Sequence, residues 1–147
     1  MAEYLIDSSV WIPTLRNDGP KSLKLRVRDW VMENRVAITS IVKVELISGA
    51  ANDQDLEFLQ DQLRGLSSIL LSEDQFEEAG RTGFELRKQG ITVPAADLII
   101  AMAASVGGLT LVHADKHFEV IRTVLPIKSL SFLDEISAWR KVRTRRK

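Results

Sequence analysis

Four of the chain's 20 acidic residues keep unusual company. Asp7 closes YLID, Glu45 lies inside IVKVELI, Asp97 inside VPAADLIIAMAA, and Asp115 follows LTLVHA. Carboxylates are rarely buried without a partner, yet each of these adjoins a segment apolar enough to face a core. Gathered in one place with no lysine or arginine among them, they would raise one another's pKa values unless a cation lay between them. A hard divalent ion with oxygen ligands is the natural occupant. Mg²⁺ fits better than Ca²⁺, because the chain has no calcium-loop spacing. Such an ion lowers the pKa of a bound water, neutralises a phosphate oxygen and stabilises a leaving oxygen. The chemistry indicated is therefore phosphoryl chemistry.

Each acid also has a plainer reading. Asp7 and Asp115 can be turn formers at strand ends, since Asp and Ser commonly sit there. Asp97 can be a simple charge favoured by a helix N-terminus. Glu45 can be a solvated helix residue beside a buried stripe of Ile41, Val44 and Ser48. Taken singly these readings suffice, but they leave the shared pattern unexplained. Ser8 and Ser9 can bond to a neighbouring carboxylate, to a metal-bound water or to their own backbone. His113 and His117 flank Asp115 and superficially form a transition-metal set. Zinc sites normally need three or four ligands, so a hydrogen bond orienting Asp115 is the expected use of His113. An exposed His117 is expected to do nothing.

The elements that must position these residues alternate in type. EYLI at 3 to 6 predicts a buried strand ending in a polar turn. VWIPTLRND predicts a short helix broken at Pro13, because proline suits only a first turn. Residues 21 to 34 put Leu23, Val27, Trp30 and Val31 on one stripe of an amphipathic helix. VAI at 36 to 38 reads as a second strand, with Thr39 or Ser40 capping a helix to Gly49. A helix over 53 to 64 and a strand over 67 to 72 follow. Ser72 and Gln75 have capping-box spacing for a helix to about Gln89. Pro94 opens the next helix, which Gly107 and Gly108 stop. LTLV at 109 to 112 is the clearest central strand. HADKHF reads as a short connection, then come an edge strand at 127 to 130 and a last helix from Ser131. Apolar strands alternating with helices predict a three-layer α/β/α sandwich with a mostly parallel sheet.

At 147 residues with 45 % hydrophobic content, one domain spanning residues 1 to 147 is expected. The absence of cysteine excludes disulfides, thiolate nucleophiles and thiolate zinc sites, and suits a cytoplasmic location. The first residues resemble neither a signal peptide nor a membrane span. Formal net charge is zero, but RKVRTRRK at 140 to 147 carries six positive charges and no acid. Such a tail can meet a polyanion or merely suit the dipole at a helix end.

At this point the chain resembles PIN domains, and specifically the VapC-type toxins of bacterial and archaeal toxin-antitoxin pairs. YLIDSSVWI resembles the family's opening strand, aspartate and hydroxyl residues. TSIVKVELISGA resembles its second signature, with Glu45 at the acidic position. PAADLIIAMAASVGGLTLVHADKHFEVI resembles the third and fourth signatures run together, with Asp97 and Asp115 at the metal positions and Phe118 at the usual aromatic.

The resemblance covers nearly the whole chain. It implies a ribonuclease in which Asp7, Asp97 and Asp115 are ligands of Mg²⁺ or Mn²⁺, and in which Glu45 binds the ion directly or through water. Ser9 matches a small polar position that supports the site. His113 departs from the threonine or asparagine usual in the family. The resemblance further implies a homodimer, cleavage of structured RNA such as transfer or ribosomal RNA, and a cognate antitoxin whose C-terminal segment reaches the active site. Arg81, Arg87, Lys88, Lys116 and the tail are the basic residues available to meet RNA.

Rival readings within reach are a PIN-fold nuclease of RNA maturation and a catalytically silent RNA- or protein-binding module. A phosphoacceptor domain would need a lysine near a later strand end, and Lys128 matches that position poorly.

Overall fold

Short apolar runs bounded by polar turns form five strands, each followed by at least one helix. In chain order the elements are β1 (Tyr4–Ile6), α1 (Ser8–Leu15), α2 (Lys21–Met32), β2 (Val36–Thr39), α3 (Ser40–Ser48), α4 (Asp53–Arg64) and β3 (Ser67–Ile69). There follow α5 (Glu73–Lys88), α6 (Ala95–Gly107), β4 (Thr110–His113), α7 (Lys116–Ile121), β5 (Lys128–Ser131) and α8 (Leu133–Arg145). The computed structural model describes residues 1–146, so Lys147, the last residue of the basic tail, lies outside the described residues.

The strand order is β3-β2-β1-β4-β5, and every pairing is parallel. Leu5 of the middle strand pairs with Ala37 on one side and Leu111 on the other. All three are fully buried, as are Ile6, Ile38 and Val112. Strands covered on both faces read as continuous apolar runs rather than alternating ones, which is the pattern of YLI, VAI and LTLV. The expected α/β/α sandwich is the observed architecture.

The strand order creates a crevice. From β1 the chain builds β2 and β3 on one side, then returns to build β4 and β5 on the other. Ligands of open parallel sheets bind outside the carboxyl ends of strands where the order reverses in this way. Asp7 lies directly after β1, and Asp115 lies two residues after β4.

Local signals in the sequence account for most boundaries. Thr39 accepts the Val42 N–H at the start of α3, and Ser72 with Gln75 forms a complete capping box on α5. Gly108 ends α6 in a left-handed conformation, φ 62°, which a residue without Cβ adopts freely.

Five expectations are corrected. Helix α1 runs through Pro13 to Leu15, because the proline falls near the end of the helix and removes only one backbone donor. Strand β3 stops at Ile69 rather than residue 72. The HADKHF connection contains a six-residue helix, α7, capped by Asp115. Helix α8 begins at Leu133, not Ser131. The buried stripe of α3 is Val42 and Leu46, while Val44 and Ser48 are exposed.

The last helix is tied back to the α1–α2 connection. The Trp139 indole N–H donates to the Asp18 carbonyl at 2.7 Å, and the Arg143 guanidinium meets the Asp18 carboxylate at 2.9 Å. Gly19 is required beside that anchor, since a Cβ there would sit 1.9 Å from the Pro13 carbonyl oxygen. Among the described residues no helix is long and apolar enough to cross a membrane.

Candidate metal centre

Asp7 caps α1 as the chain leaves β1. Its Oδ2 accepts the Ser9 backbone N–H at 3.0 Å and also the Ser9 hydroxyl. That hydroxyl in turn accepts the Ala114 N–H at 3.0 Å. A single serine therefore joins the ends of β1 and β4 and aims the buried Asp7 carboxylate. Burial raises the Asp7 pKa, the bonds from Ser9 and Ser8 oppose that, and the charge of Asp115 adds to it; the net direction is upward.

Asp97 sits in the first turn of α6, half-buried. Burial, with the charges of Asp115 and Asp7, pushes its pKa up to about 6 despite a hydrogen bond from His117. Asp115 caps α7, its Oδ1 accepting the His117 backbone N–H at 3.0 Å. Glu45 stands at the exposed rim, where Ser8 donates to its Oε2 at 3.2 Å. Its pKa is raised, first by burial and then by the charge of Asp7.

The four acids expected from the sequence are thus brought together: Asp7 feels Asp115, Asp97 feels both, and Glu45 feels Asp7. Among the described residues no lysine or arginine pairs with any of the four. Hydroxyl groups and one imidazole are what face them. Neighbouring carboxylates that raise one another's pKa values without a basic counter-charge suit a hard divalent cation.

Of the two histidines, one behaves as expected and the other does not. His113 is 1 % exposed, and its Nδ1 accepts the Asp115 backbone N–H at 3.2 Å. Its Nε2 lies 3.0 Å from Glu119 Oε1. A nitrogen that accepts an amide proton leaves the ring's own proton on Nε2, which donates to Glu119. His113 therefore makes the expected hydrogen bond that orients Asp115, and makes it to the backbone of that residue.

His117 is the residue that sequence reasoning missed. Its Nδ1 lies 3.1 Å from Asp97 Oδ2 and 3.2 Å from Asp115 Oδ1. The set formed in space is Asp97, Asp115 and His117, whereas no role was expected of His117 from the sequence. Recognising it would have required seeing Asp115 as a helix cap that folds His117 back upon it.

Beside Glu45 runs a groove of about 720 Å³, walled by Ile12, Leu15, Leu46, Phe58 and Leu59. Of the basic residues considered for RNA contact, Arg81 and Lys88 pair with Glu78 and Glu85 along α5, and Lys116 is exposed next to Asp115.

The family model for the PIN domain matches residues 4–123. The chain is 30 % identical over 132 residues to Ribonuclease VapC11 of Mycobacterium tuberculosis, covering 87 % of this chain and 98 % of that one. It is 26 % identical to Ribonuclease VapC18 of the same organism, over 82 % of this chain and 88 % of the relative. In fold it matches VapBC of Salmonella typhimurium, solved bound to DNA, with a TM-score of 0.72 at 24 % identity over 89 % of this chain and 98 % of that one. VapBC-1 of nontypeable Haemophilus influenzae gives 0.70 at 22 % identity, over 87 % and 96 % of the two chains. The chain belongs to the PIN-domain family, among the VapC-like proteins of toxin-antitoxin systems.

Proposed function

We propose that the chain is an endoribonuclease dependent on Mg²⁺ or Mn²⁺, that it acts as the toxin of a toxin-antitoxin pair, and that it cleaves structured RNA such as transfer or ribosomal RNA. Asp7, Glu45, Asp97 and Asp115 are its catalytic and metal-holding residues. The observation that carries this reading is the convergence of four carboxylates around the carboxyl ends of β1 and β4 with no lysine or arginine paired to them among the described residues.

When bound, the ion supplies a water of lowered pKa and charge for the phosphate and leaving oxygens. The protein supplies placement. Ser9 holds Asp7 against the end of β4, and His113 holds the Asp115 backbone from behind. Ser8 restrains Glu45 at the rim, from which Glu45 would help to hold the ion. Lys116 and the exposed basic residues of α8 meet phosphates outside the acidic centre, with affinity that falls as salt rises. The apolar groove beside Glu45 suits an antitoxin segment that lays apolar side chains along it and brings a basic side chain to the carboxylates.

Purified full-length protein should be incubated with total RNA and with matched DNA, in Mg²⁺, in Mn²⁺ and in EDTA, beside Asp97→Asn. Discrete RNA fragments that require metal and vanish in the variant are expected. Folded, antitoxin-free protein that cuts RNA under no metal condition would overturn the ribonuclease reading. Cleavage of DNA in preference to RNA would overturn the substrate.

A further inference from the structure

His117 sits inside the acidic centre with an uncommitted role. Its Nδ1 contacts one oxygen of Asp97 and one of Asp115 at once, at 3.1 and 3.2 Å. Two donors on adjacent positions of one octahedral ion, each about 2.1 Å from it, lie roughly 3 Å apart. The imidazole nitrogen is therefore spaced from both carboxylates as a third ligand of the same ion would be. The three ligand atoms all fall within 4.8 Å of one another.

The backbone that carries the ring is also held in place. The His117 backbone N–H is bonded to Asp115 Oδ1, and the next residue, Phe118, is fully buried and locks α7 against the core. A ring carried on a held backbone has only its own side-chain torsions to fix on binding a ligand.

We propose that His117 Nδ1 is a direct ligand of the ion held by Asp97 and Asp115, and that the centre thereby selects a first-row transition ion over Mg²⁺. The inference rests on the metal-centre reading above and deepens it. Carboxylate and water donors suit Mg²⁺ and Mn²⁺ alike, but an imidazole donor favours transition ions and adds little for Mg²⁺. For ligation the neutral ring carries its proton on Nε2, the nitrogen not engaged with the carboxylates, and the freed Nδ1 lone pair faces the ion. His113 cannot compete for this role. Its two nitrogens are committed to the Asp115 backbone and to Glu119.

The test uses the full chain, with Mn²⁺ and Mg²⁺ as probes. Calorimetric titration is expected to give tighter binding of Mn²⁺ than of Mg²⁺ by about tenfold or more, the scale on which residues around a bound metal act. Pulsed electron paramagnetic resonance of the Mn²⁺-loaded protein is expected to show coupling to a directly bound ¹⁴N. His117→Ala should abolish that coupling and cut Mn²⁺ affinity about tenfold while leaving Mg²⁺ affinity unchanged.

A Mn²⁺-loaded wild-type protein without ¹⁴N coupling would overturn the proposal, and that measurement needs no variant to fold. Persistence of the coupling in His117→Ala would overturn it as well, as would equal loss of both ions, which marks a merely structural role. Failure of both ions to bind wild-type protein would instead overturn the metal centre, and this inference with it.

Discussion

The Ser9 hydroxyl donates to Asp7 Oδ2 while accepting the backbone N–H of Ala114, 105 residues away in sequence. One oxygen atom thus sets the distance between the strand ends that carry Asp7 and Asp115. Ser9→Ala leaves the Ala114 N–H without its partner, at a cost of about 1–3 kcal/mol. It also lets Asp7 turn. Metal affinity should fall roughly 10- to 100-fold, read by titration calorimetry, with a loss of stability read by urea melts. Unchanged metal binding would mean that Ser9 only closes a turn.

Asp97 links the centre to pH. Its folded pKa of about 6 lies above the ordinary 3.8, so the folded chain binds this proton more tightly than the unfolded chain does. The stabilising contribution is complete below pH 4 and is lost as pH rises through 6. Metal-free protein should then gain stability from Asp97→Asn at pH 7.5, by roughly 1–3 kcal/mol after allowance for partial solvent access. At pH 4 the two proteins should differ little. Melts in EDTA at both values decide this. The same variant should lose RNA cleavage, a separation of stability from activity that a residue serving only the fold would not give.

His113 and Glu119 make a second support. Burial opposes ionisation of Glu119, but hydrogen bonds from Arg122, Ser129 and His113 outweigh it and hold the carboxyl below its usual range. The stability this contributes is present above pH 4.5 and is lost as pH falls through the lowered value. Glu119→Ala leaves the Nε2–H of a buried ring unpaired, and should cost about 1–3 kcal/mol at neutral pH. His113→Asn keeps an acceptor near the position of Nδ1 and should retain more metal affinity than His113→Leu. Identical behaviour of the two His113 variants in calorimetry would rule out the orienting bond to Asp115.

Gly19 tests the anchor of the last helix. A methyl group there meets the Pro13 carbonyl at 1.9 Å, which the backbone relieves only by moving. Gly19→Ala should therefore destabilise the chain by about 1–3 kcal/mol, seen as a lowered Tm. The displacement should also disturb the Asp18 contacts with Trp139 and Arg143, so the indole fluorescence should shift before the main melt.

Much of this protein was decided locally and could be read from the chain. The uninterrupted apolar runs YLI, VAI and LTLV announce strands buried on both faces, because a half-exposed strand would alternate. Ser72 with Gln75 and the pair at Gly107 and Gly108 mark helix ends through bonds spanning only a few residues. The four acids stood out because each interrupts or ends an apolar segment, and burying such a group demands a reason. What depended on contacts distant in sequence was misread. Pro13 seemed to break α1, and α7 seemed a mere connection, because neither shows the packing that holds it.

The roles of the histidines were decided only by the tertiary structure. His113 and His117 straddle Asp115 symmetrically in sequence. The direction of β4 buries the first against Glu119, while the turn capped by Asp115 swings the second onto Asp97, 20 residues earlier. No local pattern encodes that choice, since it follows from where α6 lies when the sheet is complete. The sequence by itself determined which residue types could do chemistry and which elements would carry them. Folding decided which of those residues meet, because their meeting depends on the strand order that puts β4 beside β1.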